Sequence, residues 1–230
     1  MKPRDAGSLV VVDASGGVPR ILFGKRREDL KFAPGKYVFP GGSVDPADLS
    51  MACPDDLAAD DVARLMFKMK GRPSLKRARA LALAAIREAF EETGLLIGAP
   101  LAGPPARRGD CWDQFLDQGF APRLSGLHFL ARAITPPGRT RRFDARFFCV
   151  SASDVVRRTD RLDGEFVETA WLTIDDARYL DLHSMTRAIL DDLADRLDER
   201  AAPRANHPVP FYYQLGSGFR REEIRLPDGR

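Results

Sequence analysis

The nine residues Arg87-Glu88-Ala89-Phe90-Glu91-Glu92-Thr93-Gly94-Leu95 constrain this chain more than any other stretch of it. On an α-helix, Glu88, Glu91 and Glu92 stand at i, i+3 and i+4 and share one face. Like charges at those spacings cost an isolated helix roughly 0.2–0.5 kcal/mol per pair, and acid near a helix C-terminus also opposes the macrodipole. A hard divalent cation, which takes oxygen ligands, offsets that repulsion. Gly94 readily adopts the left-handed conformation that closes a helix, and Leu95-Leu96-Ile97 then starts a strand. Read backwards, the helix reaches about Leu75, with Ser74 as its N-cap. Ala78, Ala82, Ala85 and Ala89 form a stripe of small residues suited to close packing against a sheet.

The flanking sequence supplies the strands of such a sheet. Residues 8–12 and 20–23, separated by Ser15-Gly16-Gly17, read as a hairpin. Residues 35–39 form an apolar strand that stops at Pro40-Gly41-Gly42. Residues 127–134 and 145–150 read as two strands joined through Pro136-Pro137-Gly138, and 165–172 as another. Short helices are expected at 112–118 and from Thr173. An amphipathic helix is expected at 184–200, with Ile189, Leu190, Leu193 and Leu197 inward. Residues 43–74 are the least regular. A helix from Pro54-Asp55-Asp56 to about Lys70 is expected there, with Leu57, Leu65, Met66 and Met69 as its apolar stripe and Gly71-Arg72-Pro73 as its end. The tail, 201–230, contains prolines and has no clear periodicity, so it is expected to be irregular. Three strands, a helix, three strands and a helix argue for a mixed α/β layer fold in a single domain over 1–230, with 43–74 as a helical insertion.

Composition narrows the partners. The chain is 44% hydrophobic and 30% charged, as ordinary globular proteins are, and its net charge of +3 is too small to make nucleic acid the main partner. Its basic residues are mostly arginine, which suits bidentate phosphate or carboxylate contacts and equally reflects genomic base composition. Cys53, Cys111 and Cys149 form neither a disulfide framework nor a zinc pattern. No apolar run approaches membrane-spanning length and the N-terminus has no secretory apolar segment, so no membrane partner and a cytoplasmic location are expected.

The stretch 87–95 resembles the second half of the Nudix hydrolase motif, G-x5-E-x7-R-E-U-x-E-E-x-G-U, with Ala89 at the aliphatic position. Gly42 stands as the leading glycine, but Arg87 follows it by 45 positions where the pattern has 14, so an insertion of about 31 residues splits the motif. Asp48 occupies the offset of the first glutamate. A split motif is similar to that of the (acyl-)coenzyme A diphosphatases of nudix motif 19 type. Phe39-Pro40-Gly41-Gly42-Ser43-Val44-Asp45-Pro46, Thr135-Pro136 and Arg142-Phe143-Asp144-Ala145-Arg146-Phe147-Phe148 match further segments of that subfamily. Of its upstream coenzyme A motif, Arg26 and Gly35 match and Lys31 replaces an arginine, whereas Gly24 and Arg27 depart.

The resemblance implies a Nudix fold, an α/β/α sandwich around a mixed curved sheet, and hydrolysis of a diphosphate with Mg²⁺ or Mn²⁺ as cofactor. Glu88 and Glu92 would be the principal metal ligands, Glu91 a ligand or the group orienting water, and Gly42 a point of close backbone approach. Arg87 would pair with a carboxylate of the catalytic set Glu88, Glu91, Arg87 and Glu168, with Glu165 the alternative to Glu168. Arg26, Lys31, Gly41, Arg142 and Arg146 would hold substrate, solvated charge being the alternative for each cation. The implied partner is a small nucleoside diphosphate, preferably coenzyme A or acyl-CoA cleaved to 3′,5′-ADP and a 4′-phosphopantetheine. ADP-ribose, NADH or another nucleoside diphosphate derivative, or a non-catalytic nucleotide sensor, are the alternatives. His128, His183 and His207 are too scattered to be catalytic, and Trp112 and Trp171 are expected in the core. The turn at Gly41-Gly42 and the helix end at Glu88 should meet in space, with the insertion serving as a lid or as a homodimer contact.

Overall fold

β1 (Arg4–Asp13) carries a run, Leu9-Val10-Val11, with no exposure at all. That is the mark of a strand covered on both faces. β2 (Arg20–Arg26) follows, and the two pair antiparallel beyond Val12 and Ile21. In the computed structural model, which describes residues 2–105, 107–159, 164–198 and 208–226, the chain next forms two short strands, β3 (Tyr37–Val38) and β4 (Gly41–Ser43). The expected strand at 35–39 is cut short because Pro40 has no N–H to donate. Its carbonyl instead accepts from the Leu9 N–H and the Ser8 hydroxyl, both at 2.9 Å.

After α1 (Ala59–Met66) comes the long α2 (Leu75–Thr93), capped by Ser74 and closed by Gly94 at φ 71°. Then come β5 (Leu95–Pro100), α3 (Asp113–Leu116), β6 (Phe120–Pro122), β7 (His128–Ile134), β8 (Phe143–Ser151), β9 (Val155–Arg158) and β10 (Phe166–Thr173). α4 (Ile174–Arg178), α5 (Ser184–Asp198), β11 (Val209–Leu215) and β12 (Gly218–Ile224) complete the order. The large sheet runs β10-β2-β1-β8-β7-β11-β12, with β3 on β2 and β4 on β1. It is mixed, since β1 and β8 are parallel while β7 and β8 are antiparallel.

Alternation along the central strands builds the layers. Leu9, Val11, Phe148 and Val150 pack with Leu81, Ala82, Ala85 and Ile86 of α2. Val10, Val12, Phe147 and Cys149 face Ile189, Leu190 and Leu193 of α5. The alanine stripe has a counterpart in Gly7 of β1, where a Cβ would stand 2.1 Å from the Leu81 carbonyl oxygen. Helix and strand are therefore in backbone contact just before the carboxylate face.

Two expectations are corrected. The insertion helix is shorter than 55–70, because its acidic start is occupied elsewhere: Asp55 accepts from the Leu124 N–H at 2.7 Å and Asp56 pairs with Arg79. At its other end Lys68 turns to φ 47°, and Arg132 takes the carbonyls of Phe67 and Lys68. Leu57, Leu65 and Met69 are buried as expected, whereas Met66 is only partly so. The tail is not irregular where it is described. β11 and β12 form a hairpin that joins the sheet beside β7, with Phe211 opposite Arg132.

Candidate active site

Beyond their paired ends β1 and β2 diverge, and β3 and β4 fill the opening from opposite sides. This brings Gly41 and Gly42, which lie in strand β4 rather than in the expected turn, against the last turns of α2. The Gly41 N–H donates to Glu92 Oε2 at 2.9 Å. A Cβ on Gly42 would lie 2.4 Å from Glu88 Oε1, so no other residue fits there without moving the carboxylate. The two halves of the split motif meet in space.

Arg87 organises the face. Its Nη1 donates to Glu88 Oε1 at 2.8 Å and to Glu91 Oε2 at 3.2 Å, and Nη2 donates to the Ser43 carbonyl at 2.9 Å. The far side of the guanidinium meets Asp48, at 3.0 Å from Nε and 3.1 Å from Nη2. Asp48 is buried and also accepts from the Trp112 indole at 3.0 Å and the Asp45 N–H at 2.8 Å. The residue at the offset of the first motif glutamate is thus the counterion of Arg87 and stands behind the carboxylate face.

Burial and mutual repulsion raise the proton affinity of the face. Burial, set against Arg87 and reinforced by Glu91, pushes the Glu88 carboxyl up to about 7. Burial, with Glu88 beside it, raises Glu92 well above the usual carboxylate range, while the Gly41 N–H pulls the other way. Burial alone would lower the Arg87 pKa, but Asp48, Glu88 and Glu91 hold it above its ordinary value. Among the described residues no three His, Cys, Asp or Glu side chains are already gathered as a cation cage. The donor chemistry nevertheless fits Mg²⁺ or Mn²⁺. It is all oxygen, it is crowded with like charge, and a partial set suits an ion that keeps several waters.

The other sequence-derived residues divide. Glu165 accepts from Arg26 Nη1 at 2.5 Å, and its charge bears on both Glu88 and Glu92. Glu168 instead takes the Tyr37 hydroxyl, which pushes that phenol up to about 12. Of the two glutamates, Glu165 is the one beside the carboxylate face. Arg26 is buried and also donates to the Phe32 carbonyl at 2.8 Å. Phe32 packs against His183 at 5.1 Å and Phe143 at 5.6 Å between ring centres. Lys31 is exposed on the loop after β2, and Arg142, half-buried, donates to the Thr135 carbonyl.

The expectation of Arg146 as a substrate contact does not survive its position. It lies on the α2 face of β8 with no exposure, paired with Asp144 at 2.9 Å and Asp5 at 3.1 Å. Its ion pair with Asp5 ties β8 to β1, and its side chain has no exposure. His128 lies 4.0 Å from Asp61, away from the carboxylates, and His207 falls outside the described residues. Trp112 is fully buried, as expected for core, yet its indole N–H serves Asp48. Trp171 is partly buried against the core on the α2 face.

A cavity of about 620 Å³ opens beside Glu88 and Arg87, walled by Arg4, Asp5 and the chain at 43–46. Arg4 was not anticipated, because it precedes every motif and only folding brings it to Glu88. Asp48 and Trp112 likewise lie far apart in sequence. The offset of Asp48 was the only local signal for either.

No family model matches the chain. A solved structure similar to it is a NUDIX hydrolase from Alicyclobacillus acidocaldarius, 26% identical over 83% of this chain and 90% of that one, with a TM-score of 0.60. The NUDIX domain of Shewanella oneidensis NrtR, solved with ADP ribose, is 11% identical over 86% and 90%, with a TM-score of 0.49. RenU, a Nudix hydrolase from M. smegmatis, is 16% identical over 86% and 88%, with a TM-score of 0.47. The mixed sheet between helical layers matches the Nudix fold. The likeness to the A. acidocaldarius protein supports an enzyme of the Nudix hydrolase kind.

Proposed function

We propose that this chain hydrolyses the diphosphate bond of a nucleoside diphosphate derivative with a divalent cation held by Glu88 and Glu92. Coenzyme A or an acyl-CoA is the preferred substrate, giving 3′,5′-ADP and a 4′-phosphopantetheine. The observation that carries the reaction class is the convergence of Gly41 and Gly42 on Glu92 and Glu88 across the insertion. Mg²⁺ or Mn²⁺ would neutralise the carboxylates and polarise the phosphoryl oxygens.

The chain's own groups then have distinct tasks. Arg87 holds Glu88 and Glu91 in place and is itself fixed by Asp48. Glu91, partly exposed, is the group to orient the attacking water and accept its proton. Glu165 adds negative charge at the rim and is balanced by Arg26. The aromatic cluster of Phe32, Phe143 and His183, next to Arg26, offers a surface for the nucleoside base. Coenzyme A is favoured by the upstream residues Arg26, Lys31 and Gly35. The second reading is ADP-ribose, the ligand of the S. oneidensis domain.

Incubation with Mg²⁺ and, in turn, CoA, acetyl-CoA, ADP-ribose, NADH and a dinucleoside polyphosphate, with products resolved by chromatography, tests this. Release of 3′,5′-ADP from the CoA species is expected. Fast cleavage of ADP-ribose with intact CoA would overturn the substrate, and no cleavage of any compound would overturn the enzyme.

A further inference from the structure

We infer that Arg4, at the start of β1, is a substrate-phosphate ligand of this site, an inference that rests on the proposed hydrolysis. Arg4 lines the cavity that Glu88 and Arg87 also line. Its main chain is held firmly: the Arg4 N–H donates to the Arg142 carbonyl at 2.9 Å, and the next residue's carbonyl accepts from the Val44 N–H at 2.9 Å. Its side chain is exposed, and no described residue gives its guanidinium a hydrogen bond or an ion pair. The other arginines nearby are held by carboxylates, although Arg146 is held through Nη1 alone and its buried Nε and Nη2 have no partner among the described residues. Arg87 is bound by Asp48, Glu88 and Glu91, Arg26 by Glu165, and Arg146 by Asp144 and Asp5. Arg4 alone among these both lines the cavity and has no side-chain partner among the described residues, and the planar fork of donors on an arginine matches two phosphoryl oxygens.

Charge adds a condition. The carboxylates of the wall are Asp5, Asp45 and Glu88, against the guanidiniums of Arg4 and Arg87. Asp5 is held by Arg77 and Arg146, so a polyanion entering without a cation is repelled chiefly by Glu88 and the neighbouring Glu91 and Glu92. A divalent ion held by Glu88 and Glu92 would offset that repulsion, and Arg4 would then be able to pair with phosphoryl oxygens. Arg4 therefore contributes to diphosphate affinity only when the metal is present.

The test uses the full chain and methylenediphosphonate as a non-hydrolysable probe, titrated calorimetrically with and without Mg²⁺. Arg4→Gln is expected to weaken its Mg²⁺-dependent binding about tenfold or more, the effect of losing a charge-assisted pair, and to raise KM for the cleaved substrate similarly. Arg4→Lys, which keeps charge but not the fork, should fall between. Affinity for Mg²⁺ alone should not change, and Arg220→Gln, an exposed arginine on β12, should behave as wild type. Wild-type probe affinity in Arg4→Gln, or a fall in its Mg²⁺ affinity, overturns the inference while the hydrolase reading stands. A wild-type protein that neither cleaves the substrate panel nor binds the probe overturns the hydrolase reading itself.

Discussion

Asp48 receives four donors, two from Arg87 and one each from Trp112 and the Asp45 main chain, in a place sealed from solvent. Removing one partner of a buried ion pair costs roughly 3–5 kcal/mol, because the other charge stays buried and unpaired. Asp48→Ala should destabilise the protein by about that much in urea denaturation. It should also lower activity, since Arg87 would lose the anchor that aims it at Glu88 and Glu91. Glu91→Gln makes the opposite kind of change. Glu91 is partly exposed, so the midpoint of unfolding should stay nearly constant while turnover falls by about two orders of magnitude or more, the range assigned to general acid–base groups. Steady-state kinetics beside denaturation separates the two cases. At this scale the sequence was legible wherever the signal was local. That Glu88, Glu91 and Glu92 share one face follows from helical spacing alone, whereas Asp48 and Trp112 meet across many residues. Arg146 misled because a cation beside a motif reads like a ligand, and only burial shows it paired with Asp144.

α2 is held where it is by backbone contact, and that makes its position sensitive to single atoms. Gly7→Ala would put a methyl 2.1 Å from the Leu81 carbonyl and 2.8 Å from the Ala85 nitrogen. The helix would have to shift, at a cost of about 1–3 kcal/mol or somewhat more. Glu88, one turn beyond Ala85, would move with it, so activity should drop by more than stability explains, a comparison of kcat/KM with the denaturation midpoint. Ser74→Ala, at the other end of the same helix, removes a cap that accepts from the Arg77 N–H. It should cost about 1 kcal/mol with little effect on turnover. The helix was legible in full, from Ser74 to Gly94, because cap, alanine stripe and left-handed terminator all agree on one period. The insertion was less so, because Asp55 and Asp56 look like helix caps but serve Leu124 and Arg79 instead. The β11–β12 hairpin was missed because Pro210 and the flanking prolines obscure an alternating strand whose partner, β7, lies far back in the chain.

Taken whole, the molecule uses a split motif as though it were continuous. The sheet opens between β1 and β2, Gly41 and Gly42 of β4 meet the carboxylate end of α2 there, and the insertion packs its Leu57, Leu65 and Met69 into the core on the α2 face. No helix among the described residues is long and apolar enough to cross a membrane. A cation bound to the folded state alone stabilises it by mass action, about 2.7 kcal/mol at a hundredfold excess over its dissociation constant. Mg²⁺ should therefore raise the melting temperature of the wild type, and EDTA should reverse the gain. The central claim is that Glu88 and Glu92, set against Gly42 and Gly41, hold the divalent cation. Titration with Mn²⁺ followed by electron paramagnetic resonance tests it most directly. The wild type is predicted to take up Mn²⁺ that Mg²⁺ displaces, and Glu88→Gln to lose most of that uptake while remaining folded. Equal Mn²⁺ uptake by the two proteins, or none by the wild type, would contradict the account.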